Sequence, residues 1–202
     1  MKTKLLVLTA VIVTAMSAPT MAADWFIGGG VGAQQNNYKS SSTKSSDTLK
    51  VAPITTNTSE KENNEFYEVR GGAYLNDNNR IYSTYSYNSD DFTKQQSLLL
   101  SYDYLIGLGV NNKLNWFIGA TAGVNHVSPD TQDLSSKNSF IWGGQTGFMY
   151  KISDKLSTEL GYRYLTQNTD FTSKFSDEKY TTTFTDSLDN SQQVYLAVDY
   201  RF

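Results

Sequence analysis

The chain has 202 residues, with 17 Lys and Arg against 20 Asp and Glu, one His and no Cys. That length suits a single folded domain, the slightly acidic balance leaves no basic footprint for nucleic acid, and the lack of cysteine excludes a disulfide framework. Stability is then expected to come from an extensive hydrogen-bonded sheet rather than from cross-links.

The first element is an export segment. Met1 to Lys4 carries two lysines, Leu5 to Met16 is an apolar run, and Ser17 to Ala23 is small and turn-prone. This order predicts a secretory signal peptide over residues 1–22, cleaved after Ala22 or Ala23. The apolar run is too short for a spanning helix, which needs about 18 apolar residues or more. Without Lys2 and Lys4, residues 23–202 hold 15 basic and 20 acidic residues. The 14 Tyr, 10 Phe and 3 Trp beside only 3 Pro suit strands with aromatic girdles at a membrane interface.

Eight segments of period-two alternation follow. Asp24 to Gln34 sets Trp25, Ile27, Val31 and Ala33 on one face and Gly28, Gly30 and Gly32 on the other, which suits a crowded inner wall. Glu65 to Leu75 puts Glu68 and Arg70 together, and Arg80 to Asn88 carries tyrosines on both parities, with Ile81, Tyr85 and Tyr87 read as outward. Ser97 to Gly107 sets Leu98, Leu100, Tyr102, Tyr104 and Ile106 against Ser101 and Asp103. Leu114 to His126 sets Trp116, Ile118, Ala120, Ala122 and Val124 against Thr121 and Asn125. Ser139 to Lys151 sets Phe140, Trp142, Phe148 and Tyr150 against Gln145 and Lys151. Leu156 to Gln167 sets Leu156, Leu160, Tyr162 and Tyr164 against Glu159 and Arg163. In Gln192 to Phe202, Val194, Leu196, Val198, Tyr200 and Phe202 alternate with Gln193, Tyr195, Asp199 and Arg201.

Alternation alone fits either a soluble sandwich or a membrane barrel with its apolar side in lipid. The connections separate the two. Asn76 to Asn79, Leu108 to Lys113 and Ser153 to Lys155 are short, whereas Asn36 to Asn64, Ser89 to Gln95, Val127 to Asn138 and Asn168 to Ser191 are longer and polar. Short turns on one side and long loops on the other belong to a barrel. Trp25, Tyr104, Trp116, Tyr150 and Phe202 then fall near one rim, and Tyr67, Tyr87, Trp142 and Tyr164 near the other.

The terminal strand Val194-Tyr-Leu-Ala-Val-Asp-Tyr-Arg-Phe202, with the rest of Asp24 to Phe202, resembles the small eight-stranded outer-membrane barrels, the family of the OmpA transmembrane domain, OmpX and the opacity-type proteins. The resemblance implies an all-β, eight-stranded antiparallel up-and-down transmembrane barrel in the outer membrane of a Gram-negative cell. It also implies that Val198, Tyr200 and Phe202 are read by the outer-membrane assembly machinery. OmpA's periplasmic peptidoglycan-binding domain has no counterpart here, so wall anchoring is not implied.

Glu68, Arg70, Asp103, Glu159, Arg163, Asp199 and Arg201 form the expected lumen charge network, with Lys151 near a rim. An eight-stranded lumen is just wide enough for side chains, so opposite charges there are expected to pair into a structural plug. The alternative is a narrow porin-like channel in which those pairs rearrange. A third reading, a lipid A-modifying acyl hydrolase, starts from His126-Val-Ser128, which resembles the His-x-Ser pair of outer-membrane lipid A deacylases. Their acidic partner about a dozen residues onward has no match, since Phe140 stands there. The chain is therefore read as no enzyme, and His126 as an interfacial histidine before the loop at Pro129.

Gly28, Gly29, Gly30 and Gly32 lack the Lys-Ser/Thr of a phosphate loop, and Asp133, Asp170, Asp177, Glu178, Asp186 and Asp189 lack calcium-loop spacing, so neither cofactor nor metal is expected. Asn36 to Asn64 is polar and nearly free of aromatics. In Asn168 to Ser191, Phe171, Phe175, Tyr180 and Phe184 alternate with polar residues, which predicts strands extended beyond the membrane as an exposed hairpin edge able to pair with a partner strand, or a hairpin packing its own aromatics. The expected role is a monomeric structural or surface-interaction barrel, with outer-membrane lipid, lipopolysaccharide and surface proteins as partners through its external loops.

Overall fold

The computed structural model describes residues 24–46, 51–89, 93–129, 136–176 and 181–202. Eight strands run in chain order: β1 (Asp24–Ser46), β2 (Val51–Asn76), β3 (Asn79–Ser89), β4 (Thr93–Leu108), β5 (Leu114–Pro129), β6 (Lys137–Lys151), β7 (Leu156–Ser176) and β8 (Thr181–Arg201). Each pairs antiparallel with the next, and β8 returns to β1 to close the barrel. The seam begins with Phe26 opposite Arg201, and the Phe202 amide donates to the Trp25 carbonyl at 3.0 Å. Closure leaves no edge through the barrel wall.

Alternation in the sequence becomes alternation in space. Ile27, Val69, Leu100, Ile118, Phe148, Leu160 and Val198 point outward, and the tyrosines of β3 divide with Tyr85 and Tyr87 outside and Tyr82 inside. Three tight turns close one end. At β2–β3, the Asn78 side chain donates to the Leu105 carbonyl at 2.8 Å and Leu105 returns its amide to the Asn78 carbonyl at 2.7 Å, tying this turn to β4. The β4–β5 turn needs left-handed backbone at Gly109 (φ 79°) and Asn112 (φ 47°), residue types that tolerate it. At β6–β7 the Ser153 hydroxyl accepts from the amides of Lys155 and Leu156 at 3.3 and 3.1 Å.

The opposite end departs from expectation. Asn36 to Asn64, read as a loop, is mostly strand: Gln35 faces Asn63 and Ser46 faces Val51, so the connection shrinks to residues 47–50. Strand ends also take up Ser89 and Thr93 to Gln95 of the second expected loop, and Val127 to Pro129 with Lys137 and Asn138 of the third. Whereas β3 has 11 residues, β1 has 23 and β2 has 26, with 21 each in β7 and β8. Strands β7, β8, β1 and β2 thus rise together as a four-stranded sheet above the rest of the wall.

Polar side chains lace this extension. Thr43 and Thr55 share a hydrogen bond at 3.1 Å, the Gln35 amide donates to Asn63 at 3.0 Å, and Asn37 donates to Asn190. A register shift in β8 beside Asn37 and Tyr38 leaves Asp189 without a strand partner, and its carboxylate takes an ion pair from Lys39. That hydrogen bond raises the Lys39 ammonium above its usual pKa. Such cross-strand contacts replace the apolar patterning that sequence reading relies on.

The β7–β8 hairpin does extend, but the edge of β8 is occupied by β1 from Ser191 to Thr181. Among the described residues, β2 has no partner on its β3 side before Phe66 and β7 has none on its β6 side after Gln167, so the open edge of this hairpin is that of β7. The side chains of Phe171, Phe175, Tyr180, Phe184, Asp170 and Asp186, like Asp133, Asp177, Glu178 and the signal segment Met1 to Ala23, lie outside the described residues.

The barrel interior is more apolar than the alternation suggested. Phe26, Tyr74, Tyr82, Leu105, Phe117, Met149 and Tyr195 form a buried cluster, and Leu99, Ile141 and Leu165 form a second. Large inward side chains stand against glycines: a Cβ on Gly161 would meet the Tyr195 ring, and one on Gly147 would meet Leu160 backbone and the Phe117 ring. Small beside large fills a narrow interior without strain.

Excising residues 42–56 together with residues 173–184 cuts the extension at the facing pairs Ser41 and Asn57, and Thr172 and Thr185, leaving the barrel wall intact. The expected outcome is a trimmed protein that still refolds and keeps the gel-mobility difference between heated and unheated samples. Loss of that difference would mean that the extension is needed for closure.

Candidate functional site

Three arginines cross the middle of the barrel. Arg70 of β2 makes a bidentate contact with Asp199 of β8, with Nε and Nη2 each 2.7 Å from a carboxylate oxygen, and its Nη2 also lies 2.8 Å from Glu159 of β7. Arg80 of β3 grips Asp103 of β4 at 2.7 and 3.0 Å, pairs with Glu159 through Nη1, and reaches the second Glu159 oxygen at 3.1 Å. Glu159 therefore bridges two guanidiniums. Arg163 of β7 donates to Glu68 at 3.2 Å, to Gln193 at 2.9 Å and to Gln145 at 3.0 Å.

Neutral groups complete the belt. Gln145 donates to Asp103 and to the Tyr82 hydroxyl, both at 2.6 Å, and that hydroxyl donates to Asp103 at 3.0 Å. The aromatic rings serve as faces for the cations: Arg80 sits 4.9 Å from the Tyr82 centroid and 5.2 Å from that of Phe117, and Arg163 sits 4.9 Å from Tyr195. The side chains of the three arginines and of Glu68, Asp103 and Glu159 are fully buried. Away from water, planar guanidinium forks meeting carboxylates give the strongest pairing available to side chains.

Strands β1 and β5 contribute space rather than charge. Gly28 faces Asp199 across the β1–β8 seam and Gly119 faces Asp103 across β4–β5. A Cβ at either would collide with the neighbouring carboxylate. These glycines let the acids turn toward the barrel axis.

Of the seven residues expected in this network, Glu68, Arg70, Asp103, Glu159, Arg163 and Asp199 are brought together. Arg201 is not. It lies at the turn end, where Nη1 is 3.5 Å from Asp24 and the guanidinium stacks 3.8 Å from the Tyr74 centroid. A shallow cleft there is lined by Phe26, Tyr74, Lys151, Lys155 and Arg201. Being inward on the last turn of a strand puts Arg201 at the mouth rather than in the belt. Arg80, at the centre of the belt, was absent from the expected set, although the parity that sends Ile81 outward sends its neighbour inward.

Val198, Tyr200 and Phe202 point outward along the seam strand, with Phe202 68% exposed. On the outer surface of β5 and β6, His126 contacts Asn138 through Nδ1 at 2.6 Å and Ser128 through Nε2 at 3.1 Å. Among the described residues no group of His, Cys, Asp and Glu is arranged to hold a metal ion.

No curated protein matches the chain. Among solved structures it is similar to Neisserial surface protein A, with 16% identity and a TM-score of 0.60 over 88% of this chain and 97% of that one. It is also similar to outer membrane protein H (OprH) of Pseudomonas aeruginosa, with 25% identity and a TM-score of 0.50 over 83% of this chain and 99% of that one. A family profile described as the outer membrane protein beta-barrel domain matches residues 8–202. With a closed eight-stranded wall, an apolar band on its exterior and a buried charge network inside it, the chain belongs to the outer membrane protein β-barrel domain family.

Proposed function

We propose that this protein is a plugged outer-membrane barrel whose work is done outside the lumen, as a structural and surface-interaction scaffold rather than as a pore. The observation that carries the reading is the paired belt: Arg70, Arg80 and Arg163 are wholly buried, and each is held by carboxylates from other strands. Opening a path for ions would separate charges that have no water to replace their partners, at a cost of roughly 3–5 kcal/mol for each broken pair.

The four-stranded extension is the part that meets the surroundings. Polar, strand-paired and raised on one side of the barrel, it suits lipopolysaccharide sugars and surface proteins as partners, and its open backbone on β2 and β7 suits strand addition. In this reading the chain is exported by a signal peptide cleaved near Ala22. It is inserted by assembly machinery that reads Val198, Tyr200 and Phe202, and it stays monomeric because closure uses every edge within the wall.

The refolded protein is expected to show no single-channel conductance in planar bilayers. Glu159→Gln, which removes the carboxylate shared by Arg70 and Arg80, is expected to lower unfolding free energy by roughly 3–5 kcal/mol. Steady conductance of the unaltered protein would instead assign the narrow-channel function.

Deleting Phe202 removes an outward ring and one hydrogen bond of the seam, so refolding in detergent should change little. Insertion in cells, measured by membrane fractionation against unaltered protein, is expected to fall sharply. Equal insertion of the two would dismiss Phe202 as a targeting element.

A further inference from the structure

The turn end of the lumen gathers cations that the buried belt does not use. Arg201 is the last inward residue of β8, Lys151 is the last of β6, and Lys155 stands in the turn between β6 and β7. Backbone pairing brings the three together. Lys151 faces Ser157 across β6–β7, Ser157 faces Asp199 across β7–β8, and the Arg201 amide donates to the Lys155 carbonyl at 2.8 Å. All three cations line one cleft at the mouth of the barrel.

These charges are weakly answered. Among the described residues Lys151 and Lys155 have no ion-pair partner, and Arg201 has only Asp24, at 3.5 Å and mostly exposed. Asp199, at the floor of the cleft, has both oxygens bonded to Arg70, so its charge is met within the belt. The exposed Asp24 and Asp154 set against the three cations leave one positive charge at the rim.

The donors suit an anion with several oxygens. Stacking 3.8 Å from the Tyr74 centroid holds the Arg201 guanidinium in place, and a guanidinium fork can bind two oxygens of one phosphate. The ammoniums of Lys151 and Lys155 add point charges beside it. Ser153 Oγ accepts from the amides of Lys155 and Leu156, which leaves its own proton free to donate into the cleft. Ser157, 9% exposed, lines the same cleft, and its hydroxyl has no hydrogen-bond partner among the described residues.

Height and access select the source of the phosphate. Lys151 follows Tyr150, and Arg201 lies between Tyr200 and Phe202, so the cations sit level with the outward aromatic rim. Such a rim marks the headgroup layer of a bilayer. The cleft also crosses the rim, because its lining includes Leu156, which pairs with Tyr200 on the outer wall. From there the exposed Leu160 and Val198 continue an apolar track toward the acyl layer. We propose that this cleft seats the phosphodiester of a phospholipid from the leaflet at the turn end, held by Arg201, Lys151 and Lys155, with its acyl chains on the outer wall along Leu156 and Leu160. The proposal goes beyond the surface role and rests on that reading only for the placement of the barrel in a bilayer.

The test uses the full chain refolded in maltoside micelles, which carry no phosphate, with isotope-labelled backbone amides followed by NMR. Short-chain phosphatidylethanolamine, short-chain phosphatidylglycerol and inorganic phosphate are titrated separately. Saturable shifts at Lys151, Lys155, Ser157 and Arg201 are expected with both phospholipids, and inorganic phosphate should need a far higher concentration because it lacks the acyl contacts. Arg201→Gln and Lys151→Gln should each weaken lipid binding about tenfold, the loss of one charge-assisted hydrogen bond. The double variant should abolish saturation while keeping the heat-dependent gel shift, and Lys137→Gln, at the opposite end of β6, should leave binding unchanged. Shifts that never saturate in the unaltered protein, equal lipid affinity in the unaltered protein and the double variant, or inorganic phosphate binding as tightly as the lipids would overturn the proposal. None of these results bears on the conductance that tests the plugged lumen.

Discussion

The buried guanidiniums of Arg70, Arg80 and Arg163 stay ionised in any protein environment, so a lumen this narrow can hold them only with carboxylates in direct contact. That requirement decides what stands on the strands around them. Acids come from β2, β4, β7 and β8 and amides from β6 and β8, while β3 brings Arg80 and Tyr82, and β1 and β5 bring glycines where the acids of their neighbours turn inward. The aromatic cluster at the turn end then packs against the cation faces as well as against itself, since Arg80 lies over both Tyr82 and Phe117.

Much of this architecture could be read from the chain, and the parts that could not have physical reasons. Period-two apolar patterning marks a strand only where one face meets an apolar medium, so the eight wall segments were visible and the strand ends beyond them were not. Ser40, Ser41, Ser42 and Thr43 form strand through backbone pairing, with one hydroxyl contact between Thr43 and Thr55, and nothing in their polarity distinguishes them from a loop. Inward apolar residues such as Phe117 and Leu99 escaped notice because both faces of their strands are then apolar, which blurs the alternation. Arg80 was overlooked because the tyrosines of β3 fall on both parities; placing Ile81 outward assigns it at once. Arg201 shows the converse limit, since parity gives the face of a residue but not its depth.

The extension carries a risk that its sequence manages. An unpaired strand edge invites association with other chains, and the open stretch of β2 answers with Glu60, Lys61 and Glu62 in succession and with no run of large apolar side chains from Thr55 to Glu65. Charges at an edge discourage indiscriminate pairing while leaving backbone donors and acceptors available to a partner of matching charge. Specific contact and protection from aggregation are thereby drawn from the same residues.

The seam between β1 and β8 joins the two ends of the folded chain: Phe26 pairs with Arg201, and the pairing continues to Ser45 opposite Thr181. Every other hairpin links neighbours in sequence, so this is the contact of greatest separation and the one whose loop-closure entropy is largest. Until it forms, the first and last strands each expose a backbone edge that has no satisfactory solvent in a bilayer. The length of the seam therefore acts on time as much as on equilibrium, because a zipper that continues past the wall can begin in water, at its polar end, and shorten the interval during which the membrane faces an open sheet.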